Sequence, residues 1–144
     1  MKRISKIWKI VIDTNVLVAA LKSKRGASFK ILSLLRSGKF QFYLSVPLVC
    51  EYEDVLKRRE LGLKFTEKEI ENLLDAICLL GEKRPIWFSW RPIASDAKDE
   101  FVAELAINAA VDAIVTHNVK DFRNLVKFDI KVLTPSEFLP LIGE

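Results

Sequence analysis

The sequence predicts an α/β domain whose central sheet is parallel and covered by helices on both faces. Short apolar runs, typical of buried strands, alternate along the chain with segments whose apolar residues recur at helical spacing. The runs at residues 7–12 and 113–116 are apolar almost throughout, as strands buried on both faces are. The length of 144 residues, half of them hydrophobic, suits a single domain over residues 1–144.

The first part of the chain predicts two strands and four helices. The strands are expected at residues 7–12 and 40–45. The helices are expected at four places: from a cap at Asp13 or Thr14 to residue 21, at residues 28–37 before Gly38, at residues 48–59 after Pro47, and at residues 66–80. The last of these opens with the capping box TEKE and closes at Gly81.

The second part of the chain continues the alternation. We expect a short strand at residues 85–90, an amphipathic helix at residues 99–110, a buried strand at residues 113–116, a last strand at residues 131–133 and a final helix at residues 136–142. Strands alternating with helices in this way indicate parallel pairing, because parallel neighbours need a crossover connection that is usually a helix.

Composition excludes several classes of protein. Charged residues make up 29% of the chain, and the net charge is +4. Cys50 and Cys78 belong to no CxxC motif, so neither a zinc site nor a disulfide framework is predicted. No run reaches the roughly 20 apolar residues of a membrane helix, and we expect a soluble, cytoplasmic protein. The basic residues form short groups, which suit either a solvated face or a polyanionic partner.

Acidic residues stand where predicted strands end or helices begin. Asp13 ends the first strand, Asp121 follows the strand at residues 113–116, and Glu51 and Asp99 lie near helix starts. One such acid alone is more often a helix cap than a ligand. Several carboxylates brought together at the carboxyl edge of the sheet would repel one another unless a cation neutralised them. Oxygen-only ligation, with no His or Cys, selects Mg²⁺ or Mn²⁺.

Four segments together resemble the PIN-domain family, and specifically the VapC-like toxins of toxin–antitoxin pairs. They are VIDTNVLVAAL, VPLVCEYEDVLKR, DAKDEFVAELAINAAVDAIVTHNVKDF and VLTPSEFL, and they span nearly the whole chain. The resemblance implies a PIN-like three-layer α/β/α sandwich with a central, mostly parallel sheet of about five strands. It also implies a Mg²⁺- or Mn²⁺-dependent endoribonuclease acting on single-stranded RNA, with a cognate antitoxin and a homodimer as candidate partners.

The resemblance also assigns residues. The catalytic, metal-binding acids correspond to Asp13, Glu51, Asp99 and Asp121. Around them, we expect the polar side chains of Thr14, Asn15, Thr116 and Asn118 to hold carboxylates or water, and the candidate phosphate contacts are Lys22, Lys24, Arg25 and Lys120. One departure stands out, since many relatives have an Asp where this chain has Asn118.

Several residues keep alternative interpretations. Thr14 is equally well explained as a helix cap. Glu53 is the substitute for Glu51, and Glu104 is the best substitute among acids that we otherwise expect to be solvated or capping: Asp96, Glu100, Glu104 and Asp112. His117 is expected to pack in its loop, because a metal-activated water needs no histidine base. The other functional hypothesis is a catalytically degenerate PIN-like module that binds RNA or serves as a scaffold.

Overall fold

The computed structural model describes residues 6–85 and 100–144, and within them one five-stranded sheet has only parallel pairings. The strands are β1 (Trp8–Ile12), β2 (Phe40–Leu44), β3 (Glu82–Lys83), β4 (Ala113–Val115) and β5 (Lys131–Leu133). Their order across the sheet is β3-β2-β1-β4-β5. The chain therefore builds outward from β1 in one direction and then returns to add β4 on its other side. The predicted fold class is confirmed.

Helices cover both faces of this sheet. They are α1 (Thr14–Lys22), α2 (Ala27–Ser33), α3 (Val46–Leu56), α4 (Glu67–Leu80), α5 (Glu100–Asn108) and α6 (Pro135–Phe138). Ile10 and Val11 are successive residues of β1 and are both fully buried. Because successive strand residues point to opposite faces, a layer of helices must lie on each side. The architecture is thus a three-layer sandwich.

Side-chain caps set where the helices begin. Asp13 caps α1, Ser45 caps α3, and Thr66 forms the predicted capping box with Glu69 at the start of α4. Our prediction for α3 was two residues late. Pro47 lies in its first turn, where a residue without an amide proton is tolerated because that amide has no helical partner.

The predictions for two other segments were also inaccurate. Helix α2 ends at Ser33 instead of residue 37, and beyond it the Ser37 hydroxyl donates to the Leu34 carbonyl, a local bond that competes with helix formation. The stretch Val119–Phe128, which we had not assigned, forms 3-10 turns. The expected strand at residues 85–90 lies almost entirely outside the described residues, whereas β3 precedes it. No helix in the described ranges is long and apolar enough to span a membrane.

Gly81 provides a test of how tightly α4 is joined to the sheet. A Cβ atom added there would lie 2.5 Å from Cδ1 of Leu44 and 2.8 Å from Cε2 of Phe42, both in the core. We expect Gly81→Ala to lower the free energy of unfolding by about 1 to 3 kcal/mol, as overpacking does. Chemical denaturation measures this.

Gly26 is the matched control, since a Cβ there would meet nothing closer than 4.0 Å. Gly26 is the N-cap of α2, where alanine is less favourable than glycine, so Gly26→Ala should lower stability by no more than about 0.5 to 1 kcal/mol. Equal stability losses in the two variants would show that the contact with β2 is not the cause.

Candidate active site

Asp13 lies at the crevice between β1 and β4. The chain adds strands first on one side of β1 and later on the other, so this crevice is the topological switch point of the sheet. It directly follows β1, and its backbone amide donates to the Val115 carbonyl at 3.0 Å, so the β1–β4 pairing continues to this point. The residue is 4% exposed. In open α/β sheets, ligands bind outside the carboxyl ends of the strands at such a crevice. The Asp13 carboxyl group is therefore placed where this fold class binds ligands.

Thr116 connects the two sides of the crevice. Its hydroxyl donates to Oδ2 of Asp13 at 2.7 Å and accepts from Nδ2 of Asn15 at 3.3 Å and from the Asn118 amide at 3.0 Å. The other Asp13 oxygen, Oδ1, accepts from the Thr14 amide at 2.7 Å, which caps α1. Both oxygens of a buried carboxyl group are thus fixed by donors from two elements.

Glu51 reaches the same place through Thr14. The Thr14 hydroxyl donates to Oε2 of Glu51 at 2.7 Å, across a partly buried contact between α1 and α3. Thr14 thus has a role other than the cap, which is the side chain of Asp13. Glu53, the sequence-based substitute, is exposed and pairs with Lys57 on the outer side of α3. The geometry favours Glu51.

The remaining predicted acids differ in where they lie. Asp121 is half-buried, in the turn after β4, and acts electrostatically on Asp13. Asp99 and Asp96 lie outside the described residues. Asp112 lies at the other edge of the sheet, where it accepts from the Lys9 amide at 2.9 Å and pairs with Lys6.

Glu100 and Glu104 require a correction. We expected these spare acids to be solvated or capping, but they are only 5% and 6% exposed, one turn apart on α5. Helix α5 packs against β1 and β4 and also contacts α3. Its acidic residues at positions i and i+4 therefore face the interior of the protein, a position that the local sequence pattern does not reveal.

Burial controls the charge of Asp13. It raises the pKa of the Asp13 carboxyl from 3.8 to about 6, with the hydrogen bonds from Thr116 and Thr14 opposing the rise and the charges of Glu51 and Asp121 adding to it. Burial likewise raises the pKa of Tyr52, and the charges of Asp13 and Glu51 contribute. The hydroxyl of Tyr52 donates to the Ile12 carbonyl, directly before Asp13. The negative charges of Glu51 and Asp121 therefore act on the same site as that of Asp13.

Comparison with known proteins identifies the family. The family model described as "PIN domain" matches residues 9–120, which is most of the chain. The chain belongs to the PIN-domain family. Asp13, Glu51 and the residues at the end of β4 all lie within the matched range.

Solved structures agree with the PIN-domain fold. Fifteen chains match, among them one from a crystal structure of VapBC2 from Rickettsia felis bound to a DNA fragment from their promoter. The match covers 86% of this chain and 98% of that chain, with a TM-score of 0.61 and 17% identity. At that identity the likeness shows a shared fold. No curated protein matches the chain.

The site of this PIN domain suits a hard cation that keeps much of its water. The available ligands are carboxylate oxygens, and the cost of burying Asp13 as an anion is one that a cation would offset. Within residues 6–85 and 100–144, no three His, Cys, Asp or Glu side chains form a group that could hold a metal ion. Mg²⁺ is commonly bound through only one or two carboxylates, together with waters and substrate phosphates.

Sequence reasoning missed two residues of this site. Tyr52 is fully buried beneath Asp13, and Ser28 at the start of α2 contacts the ring of His117 at 2.8 Å. Both contacts join residues far apart in the chain, so no local pattern signals them.

The basic residues that we expect to contact phosphate are all exposed: Lys22, Lys24, Arg25 and Lys120.

The raised pKa of Asp13 predicts how stability depends on pH. The unfolded chain ionises Asp13 near 3.8 and the folded chain near 6, so between these values the folded state holds more protons. The contribution of Asp13 to the free energy of unfolding should then fall as pH rises, and the loss should be complete above about pH 6. In chelator at about pH 7.5, Asp13→Asn should be more stable than the parent, by on the order of 2 kcal/mol.

Thermal melts from about pH 3.5 to 7.5 measure this effect, and the advantage of Asp13→Asn should vanish at the acid end. Asp75→Asn, which removes an exposed carboxylate from α4, is the control and should shift little at any pH. If the stability difference between Asp13→Asn and the parent did not change with pH, the buried charge of Asp13 would not be its cause.

Proposed function

We propose that this PIN domain is an endoribonuclease that hydrolyses phosphodiester bonds of single-stranded RNA with Mg²⁺ or Mn²⁺, as the toxin of a toxin–antitoxin pair. The observation that carries the proposal is the buried Asp13 carboxyl group at the crevice between β1 and β4, fixed by Thr14 and Thr116. Such a group serves no need of the apolar core, and family membership places it in a fold that is generally associated with nuclease activity.

In this proposal the metal ligands and catalytic acids are Asp13, Glu51, Asp99 and Asp121. Asp13 is the central ligand because burial at the crevice disfavours its negative charge, which a cation would offset. A bound divalent ion supplies an activated water and offsets negative charge at the phosphate. Thr14 orients Glu51, and Thr116 orients Asp13. Asn15 and Asn118 hold Thr116 in turn, so that its hydroxyl proton points at the carboxylate.

Two features favour the alternative, a catalytically degenerate PIN-like module that binds RNA or serves as a scaffold. In the described part of the chain, no three potential ligands form a group able to hold a metal ion, and Asn118 stands where many relatives have an acid. The two hypotheses differ in whether a divalent ion binds and whether RNA is cut.

Partner proteins form part of the proposal. The similar structure is named for a VapBC2 assembly on promoter DNA, which supports a cognate antitoxin as the partner here. The described surface has an apolar cavity of about 530 Å³ between the start of α3 and the end of β3, with Val46, Pro47, Val49 and Cys50 among its lining residues. Val46 and Leu79 are each almost four-fifths exposed. This apolar surface would suit an antitoxin segment or a second copy of the chain.

Activity tests the nuclease proposal directly. The purified protein should cut single-stranded RNA when Mg²⁺ or Mn²⁺ is present and should stop when a chelator is added. Asp13→Asn should reduce the rate by at least a hundredfold while the protein stays folded, because the amide keeps the size of the side chain but lacks the charge that attracts the ion. Gel-based cleavage of a mixed RNA pool is the measurement.

Thermal stability supplies an independent readout. An ion that binds only the folded state must raise the melting temperature of the parent protein, and Asp13→Asn should lose that rise. A protein that cuts no RNA and whose melting temperature ignores millimolar Mn²⁺ would favour the scaffold alternative. Inactivity with a clear Mn²⁺ shift would instead indicate that the RNA pool lacked the target sequence.

The proposed phosphate contacts predict how RNA binding depends on salt. Each Lys or Arg that neutralises a phosphate should contribute about 0.7 to the slope of log affinity against log salt concentration for a single strand. In the Asp13→Asn background, Lys24→Ala and Arg25→Ala should each flatten the slope, as measured by fluorescence anisotropy.

Lys68→Ala is the matched control. Lys68 is exposed near the start of α4, whose Glu67 pairs with Lys57 at the far end of α3 from Ser45, well away from the carboxyl edge. Its removal should leave the slope unchanged. If all three variants alter the slope alike, the basic residues act through net charge and not as a local contact surface.

A further inference from the structure

His117 is the only histidine of the chain, and the proposed nuclease chemistry gives it no task. It follows Thr116 directly, and its backbone amide donates to Oδ1 of Asn15 at 3.2 Å. Its ring nitrogen Nε2 lies 2.8 Å from the hydroxyl of Ser28 on α2. The residue is nonetheless exposed. The orientation of this exposed side chain is therefore fixed by contacts at both its backbone and its ring.

Ser28 determines which ring nitrogen can face a ligand. The serine is 4% exposed, and among the described residues its hydroxyl has no other hydrogen-bond partner. Either atom can supply the proton of this bond, depending on the tautomer of the ring. When the serine hydroxyl donates to Nε2, the ring proton lies on Nδ1. Nδ1 has no partner within the same described ranges, so in that tautomer its N–H can donate to an incoming acceptor.

The ring also lies between the proposed acidic site and the basic loop. Thr116, its neighbour, bonds Asp13, and Ser28, its ring partner, is three residues beyond Arg25. The bond between Ser28 and His117 therefore joins the start of α2, just after the loop with Lys24 and Arg25, to the turn after β4. A nucleic acid strand that contacts both this loop and the acids could therefore reach the histidine.

We propose that Nδ1–H of His117 donates a hydrogen bond to a phosphate oxygen of the bound RNA strand, and that Ser28 is a positioning residue that fixes the required tautomer. The inference rests on the proposed RNA-binding function and adds a neutral donor to the basic contacts. A backbone contact of this kind is independent of base identity, since phosphates carry no sequence information.

Binding measurements test the contact. In the uncleaving Asp13→Asn protein at about pH 8.5, where histidine side chains are usually neutral, His117→Ala should weaken binding of oligouridylate by about tenfold, the size expected for a hydrogen bond to a charged group. Oligoadenylate should show the same loss. The salt slope should not change, in contrast to Lys24→Ala, because a neutral donor releases no counterion.

The tautomer has its own readout. Because the chain holds one histidine, ¹⁵N NMR of tag-free protein reports its two ring nitrogens without overlap. We expect the proton on Nδ1 in the parent and a mixture of tautomers in Ser28→Ala, with RNA binding weakened about threefold in the latter. Circular dichroism and melting temperature verify that Ser28→Ala is folded.

Three results would overturn the inference: unchanged binding in His117→Ala, a loss confined to one base type, or a parent tautomer with the proton on Nε2. None of them concerns catalysis. If the parent protein cuts RNA but His117→Ala binds normally, the proposed function stands and the contact does not. If the parent binds neither oligouridylate nor oligoadenylate, the contact is rejected, and the nuclease proposal is then decided by cleavage and by the Mn²⁺-dependent melting temperature.

Discussion

The hydrogen bond from Thr116 to Asp13 links the ends of β1 and β4, the two strands at the topological switch point of the sheet. Everything proposed for the site depends on it. Asp13 ends β1 and caps α1, Thr116 ends β4, and the bond between them closes the crevice at its floor. The same carboxyl group fixes the Thr14 amide, and the Thr14 hydroxyl in turn holds Glu51 from α3. The strands β1 and β4 and the helices α1 and α3 thus meet around one buried carboxyl group. The carboxylate oxygens of Asp13 and Glu51, which could serve as ligands, are therefore held in place before anything binds.

That arrangement is unfavourable in the absence of a cation. Burial alone disfavours the Asp13 anion, and the charges of Glu51 and Asp121 increase the penalty, so its pKa rises to about 6. The hydrogen bonds from Thr116 and Thr14 compensate only in part. A buried group whose ionisation opposes folding is rarely maintained for stability, and perturbed pKa values of this kind cluster at functional sites. The proposed function would account for this cost, because a bound cation would supply the missing positive charge.

Local patterns were enough to predict the fold, and they singled out Asp13 as a candidate site residue. Apolar runs gave the strands around β1 and β4, and the capping box at Thr66 gave the start of α4. Asp13 could be singled out because a polar residue directly after a buried strand needs a reason. What failed depends on contacts distant in sequence. Tyr52 meets Ile12 across 40 positions and Ser28 meets His117 across 89, and neither pairing has a local signal. The burial of Glu100 and Glu104 was missed for the same cause, since acids one turn apart on a helix usually indicate a solvated face.

The substitution at position 118 is consistent with the rest of the site. The backbone amide of residue 118 donates to Thr116 at 3.0 Å, and an acid at this position could supply the same bond. The asparagine differs in adding no negative charge near an Asp13 carboxyl group whose ionisation is already disfavoured. It also leaves one charge fewer to attract a cation. In the proposed nuclease the remaining carboxylates would hold the ion, and water and phosphate oxygens would complete its coordination, as they commonly do for Mg²⁺.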